Sequence, residues 1–165
     1  MKTLSQRIVE HPLFSSMLPE HQAVLLECAS EREFLPGELL FREGDPANQF
    51  YLIERGRVRL EGLVPGQPFG QRVPVQELGP GEPLGWSWLF PPFAWHLQAS
   101  ALEPTSVIIF NGGHLLATAE RETTFGYCLM KRVVQVLIRR LQATRRQLAQ
   151  FQTRQEVPPL KLVAH

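Results

Sequence analysis

The chain has 165 residues, 44% of them hydrophobic and 20% charged, which is enough to bury the core of one globular domain and too apolar for a disordered segment. A net charge of +1 gives no bulk attraction to an anionic partner, and two distant cysteines argue against a disulfide framework, an iron–sulfur cluster or a zinc knuckle. Fourteen prolines and twelve glycines, mostly between Pro12 and Gly113, argue against an all-helical chain.

Residues 1–30 are predicted as an N-terminal helical segment. Leu4, Ile8 and Val9 space one short helix. Pro19-Glu20 opens a second, since proline fits the first helical turn, and its apolar side is predicted as Ala23, Val24, Leu26 and Ala29. These helices are expected to lid the strands that follow. The segment has no apolar core of signal length, and no apolar run approaches the ~20 residues that span a bilayer, so a soluble cytoplasmic protein is expected. Cys28 and Cys128 are accordingly predicted to be buried thiols.

From Glu31 the period changes to two. Short apolar bursts at Phe34-Leu35, Leu39-Leu40-Phe41 and Phe50-Tyr51-Leu52-Ile53, then Val58 and Leu60 alternating with Arg57, Arg59 and Glu61, read as strands. Pro36-Gly37, Gly44-Asp45-Pro46, Arg55-Gly56 and Pro65-Gly66 mark the corners. Further strands are predicted at 72–78, around Leu84, at 97–102 and at 106–110. About eight strands at spacings near ten residues predict a β-roll over 31–111, a double-stranded jelly roll in a mainly β fold with flanking helices.

Inside that region, residues 84–96 hold five of the fifteen aromatic residues and no formally charged side chain. Two readings apply. Trp86, Trp88 and Phe90 fill the space a ligand would occupy and leave a collapsed, ligand-free scaffold, or Trp86 and Trp95 stack a flat, weakly charged ligand with His96 as its one titratable contact.

Residues 112–154 are predicted to be helical. Asn111 caps a short helix from about Gly113 to Arg121, and Thr123 or Thr124 begins a long one. In the long helix Met130, Val134, Leu137, Leu141, Thr144, Leu148 and Phe151 alternate by four and three, the a/d pattern of a coiled-coil seam. Val133, Val136 and Leu129 form a second apolar face directed at the roll. A helix apolar on two sides needs two partners, so the seam predicts a homodimer through residues 124–152, the alternative being a helix folded back wholly onto its own roll. The same helix carries seven basic residues and no acid, which suits a solvated face or an anionic partner. Residues 155–165, with Pro158-Pro159, are predicted to be a loose tail.

Pro36-Gly37, then Gly44-Asp45 ahead of the apolar strand Phe50-Tyr51-Leu52-Ile53, then Gly56 ending it, closely resembles the first half of a cyclic-nucleotide-binding domain of the CRP/FNR type. The order of strand corners, short helix and long Arg-Arg-Leu-Gln-x-Thr helix agrees from about Pro12 to Phe151. The resemblance implies that 84–97 is the phosphate-binding cassette and that the long helix makes a dimer.

It also implies which residues should touch a cyclic nucleotide: a Gly-Glu pair opening the cassette and an Arg followed by Ser or Thr closing it. Gly85 matches the glycine. Trp86 stands at the Glu that holds the ribose, followed by Ser87, while His96 and Leu97 stand at the Arg–hydroxyl pair. Thr144 matches the helix position that reaches the base, but Arg145 follows where relatives have Ser. No Arg or Lys lies between Arg72 and Arg121 to substitute. The two missing charge-assisted contacts are worth about 1.5–3 kcal/mol each, so about two to four decades of affinity are lost and cAMP or cGMP is not expected as a ligand.

Only about a dozen residues follow Phe151, too few for the helix-turn-helix of such regulators, so no sequence-specific DNA binding is expected. The expected function is a stand-alone, non-enzymatic regulatory or sensor module acting through a protein partner. One alternative is a cyclic-nucleotide or other small-ligand binder with a non-standard pocket. Another is a metal-dependent cupin-like enzyme, disfavoured because only His96 of the five histidines falls in the predicted strands.

Overall fold

A computed structural model describes residues 1–63, 66 and 71–155, the last three of these by backbone only. The predicted loose tail lies outside the described residues except for its first residue, Gln155, which ends the last helix; Pro65 of the Pro65-Gly66 turn also lies outside them. Among the described residues no helix is long and apolar enough to cross a membrane. Met1–Leu129 forms one compact unit and the chain from Met130 a second.

The first unit opens with helices α1 (Leu4–Glu10) and α2 (Pro19–Glu27). Thr3 caps α1 through a capping box with Gln6. Among the described residues eight strands follow: β1 (Ala29–Phe34), β2 (Leu39–Phe41), β3 (Gln49–Arg55), β4 (Val58–Leu63), β5 (Arg72–Leu78), β6 (Pro83–Leu84), β7 (Gln98–Ala101) and β8 (Thr105–Asn111). They pair antiparallel into two sheets, β1-β8-β3-β6 and β2-β7-β4-β5, which is the jelly roll that the strand spacing predicts. The first strand begins at Ala29, two residues before the expected change of period.

The packing follows strand parity. Val58, Leu60 and Gly62 of β4 point inward and are buried while Arg59 and Glu61 are not. In β3 four successive residues, Phe50 to Ile53, are buried, because its sheet is covered on both sides. One side is the roll interior; on the other Phe14 sets its ring edge-on to Phe50 at 6.5 Å and to Phe110 at 5.6 Å. Gly56 turns the chain between β3 and β4 at φ +87°, where a Cβ would strike the Thr105 side chain and the Pro104 carbonyl.

Two expectations for side chains need correction. The buried face of α2 is His21, Gln22 and Leu25, while Ala23 is exposed and Val24 and Leu26 are half-buried. Gln22 Nε2 donates to the Phe14 carbonyl at 3.0 Å, which satisfies it inside, whereas the His21 ring meets Phe125 edge-on at 5.6 Å and keeps a buried Nδ1 without a hydrogen-bond partner. Cys28 and Cys128 are half-buried rather than buried; burial still pushes the Cys28 thiol up to about 11.

After β8, Asn111 accepts from the His114 N–H and caps α3 (Gly112–Arg121). Helix α4 (Thr123–Gln155) is 33 residues long. Phe125, Leu129, Val133 and Val136 are buried; Val134, Leu137, Ile138, Leu141, Leu148 and Phe151 are exposed.

Candidate functional site: the segment between β6 and β7

Strand β6 is held to β3 by the pairs Tyr51–Leu84 and Leu52–Pro83. Gly85 then leaves the strand at φ +87°. A Cβ there would lie 3.1 Å from the Trp95 ring and 3.2 Å from the Tyr51 ring, so this position requires glycine for its conformation and for the close approach of two aromatic rings.

Those rings form an interior stack. Trp95 is 5% exposed and lies on Phe41 of β2 at 4.0 Å between centroids and 19° between planes, with Tyr51 at 6.3 Å. The Tyr51 hydroxyl donates to Gln49 Oε1 at 2.5 Å and lies 3.3 Å from the Leu40 carbonyl; burial pushes its pKa up to about 12, so it stays neutral. The backbone clamps the tryptophan as well. Trp95 N–H donates to Asp45, Gly44 N–H to Trp95, and Ala47 N–H to Phe93, at 2.9, 2.9 and 2.7 Å.

Trp86 goes elsewhere. Its ring lies on Phe50 at 4.7 Å, and Phe50 and Tyr51 are successive residues of one strand, so they point to opposite faces of the sheet. Trp86 and Trp95 are therefore on opposite sides of β3 and do not form the two walls of one slot. Trp88, within the short 3₁₀ turn Ser87–Leu89, is fully buried against Gly112 at the start of α3, where a Cβ would come within 2.7 Å of its ring. Phe90 is 60% exposed. Of the residues named for this aromatic cluster, Trp88 and Trp95 are buried and Phe90 is exposed, and the companions of Trp95, Phe41 and Tyr51, lie outside the cluster. The signal for them was available in the parity of β3, which puts Tyr51 inward once Phe50 faces the helices.

His96 lies in the loop before β7 rather than in a strand, exposed, with Nδ1 3.0 Å from Ser87 Oγ. The residue at the expected phosphate position is thus joined to Ser87, the neighbour of the residue at the expected ribose position, and not to Trp86 itself. Leu97 is half-buried and leans over β4, its Cδ2 2.9 Å from where a Cβ on Gly62 would be. Three surface clefts, of about 320, 730 and 530 Å³, are lined by residues between 1 and 55 and between 104 and 107, and none by a residue of 84–97. Among the described residues no three of His, Cys, Asp or Glu come together as a metal site.

On α4 the Thr144 hydroxyl donates to the Arg140 carbonyl at 3.0 Å, one turn back, and Arg145 is exposed. Met130 is half-buried, whereas Val134, Leu137, Leu141, Thr144, Leu148 and Phe151 are exposed along one stripe.

Comparison with known proteins agrees with this geometry. The family model for the cyclic nucleotide-binding domain matches residues 31–122. The cyclic AMP receptor protein of Thermus thermophilus is 31% identical over 110 residues, covering 67% of this chain and 50% of the relative. A solved putative cyclic nucleotide-binding protein from Geobacter metallireducens superposes with a TM-score of 0.75 at 25% identity, over 85% of this chain and 99% of that one. The regulatory subunit of a cAMP-independent protein kinase A from Trypanosoma brucei superposes with a TM-score of 0.63 at 25% identity, over 83% of this chain and 45% of that one. The chain spans half or less of the length of the curated relatives it matches. With the roll and the family match in agreement, the chain belongs to the cyclic nucleotide-binding domain family.

Proposed function

We propose that this protein is a regulatory module of that family whose cassette is closed by its own side chains, and that it acts as a homodimer on a protein partner without catalysis. The observation that carries this reading is Trp95, stacked on Phe41 and pressed against Gly85 and Tyr51, inside a cassette with no Arg or Lys. A cyclic phosphate would need a cation at its oxygens and a carboxylate at its ribose. Here those positions hold an exposed histidine bonded to Ser87 and a tryptophan committed to Phe50. The cAMP-independent kinase subunit that superposes on this chain is a precedent for the fold serving regulation without that nucleotide. The regulatory role without catalysis is supported by the kind of relatives the chain has, a cyclic AMP receptor protein and a protein kinase regulatory subunit.

Thermal unfolding with cAMP and with cGMP tests the closed cassette. A micromolar binder at hundredfold excess over its Kd adds about 2.7 kcal/mol, which is several degrees of melting temperature for a domain of this size. The expected result is no shift for either nucleotide up to about 0.5 mM, above the ~0.1 mM that a hundredfold excess over a micromolar Kd requires. A shift saturating in the micromolar range would overturn the reading.

A further inference from the structure

Helix α4 carries Lys131, Arg132, Arg139, Arg140, Arg145, Arg146 and Arg154, and no acidic residue in its whole length. Fifteen of the chain's sixteen acidic residues precede Thr123. Charge is therefore segregated along the sequence, and a net value of +1 conceals it. Exposed Arg139, Arg145 and Arg146 have no carboxylate one turn away along the helix.

The arrangement on the helix is more specific than the count. At 100° per residue the exposed apolar positions Val134, Leu137, Leu141 and Leu148 run along one line. Arg132, Arg139 and Arg146 repeat every seven residues on the opposite side, the f positions if the seam residues are a and d. Buried Leu129, Val133 and Val136 occupy a third side. Arg139 and Arg146 are exposed; Arg132 is half-buried and donates to Gln135 Oε1 at 3.3 Å. Seven residues rise about 10.5 Å, so the three side chains leave the helix as a straight row about 21 Å long.

We propose that this row is a docking strip for an acidic α-helix of a partner protein that carries carboxylates at heptad spacing. A helix running alongside α4 repeats its own side chains at the same interval of about 10.5 Å, so one carboxylate can meet each guanidinium. A nucleic-acid duplex meets a straight rod with a repeat of about 34 Å, out of step with the row. The strip gives a chemistry to the protein partner of the reading above, and it depends neither on the closed cassette nor on the seam, which lies on the other side of the helix.

The test uses fluorescence anisotropy with three labelled probes: a helical peptide with glutamate every seven residues, a peptide of identical composition with the glutamates scattered, and a DNA duplex. The heptad peptide is expected to bind saturably at low salt and to weaken as salt shortens the screening length. The double variant Arg139→Gln/Arg146→Gln should weaken it about fivefold, two exposed ion pairs being lost, with melting temperature and oligomeric mass unchanged. The strip is refuted by no binding of the heptad peptide, by equal binding of the scattered one, by tighter binding of the duplex, or by a variant that binds like the parent. Oligomeric mass and nucleotide indifference report on the closed, dimeric module separately, so the two readings fail independently.

Discussion

His11 shows how a single side chain ties the N-terminal helices to the approach of the cassette. The Leu13 N–H donates to Nδ1 at 3.1 Å, which requires Nδ1 to be unprotonated and places the ring proton on Nε2, 3.2 Å from the Gly81 carbonyl. Gly81 in turn donates to Ile53 and lies two residues before β6. Burial lowers the His11 pKa below its ordinary 6.5, only partly opposed by the bond to Gly81. A folded pKa below the unfolded one means that the unfolded chain takes up the proton first, so this contribution is intact above 6.5 and is lost as pH falls through the folded value. Urea unfolding at pH 7.5 and 5.5 is expected to show a fall in midpoint that is smaller in His11→Gln. Equal falls in the two proteins would show that His11 does not couple pH to folding.

At the scale of elements, α4 carries an apolar stripe that the described residues leave exposed. Leu137 is 45% exposed and Leu141 61% exposed on a stripe that also holds Leu148 and Phe151. An apolar stripe of a/d spacing on a helix 33 residues long is the geometry of a coiled-coil partner face. Thr144 does not oppose this, because its hydroxyl is already satisfied by the Arg140 carbonyl. Light scattering at micromolar concentration is expected to give twice the 18.8 kDa chain mass, and Leu137→Asp should give the single mass. Since Leu137 is half-exposed in the single chain, the aspartate costs the monomer little but would be buried unpaired in a seam, a penalty of several kcal/mol. A wild type of single mass would remove the homodimer. A variant that keeps the double mass would place the contact elsewhere.

For the whole molecule, what could be read in advance was whatever depends on local chemistry. Turn glycines such as Gly56, the Asn111 cap and the proline at the start of α2 mark the elements closely, because each answers a local steric or hydrogen-bond demand. The inner face of α2 was not legible, since His21 and Gln22 go inside only because Phe125 and the Phe14 carbonyl receive them. The cassette was half legible for the same reason. Its glycine and its missing cation are visible in the sequence, whereas the side of β3 that each tryptophan takes is fixed by strand register, a long-range property.

That division between local and long-range order bears on independent folding. Among the described residues every β-ladder partner lies between Ala29 and Asn111, and nearly all of the buried apolar set lies between Ile8 and Leu129. Met1–Leu129 thus contains its own core and its own hydrogen-bonded sheets, the conditions for a cooperative unit. A chain ending at Leu129 is expected to melt in one transition with strand-rich circular dichroism, at a lower midpoint because Phe125 and Leu129 then sit at a fraying terminus. It should also be monomeric, since Val134 through Phe151 are gone. A broad, non-cooperative melt would show that the roll depends on α4 for its fold. A dimeric mass would show that the seam is not what joins two copies.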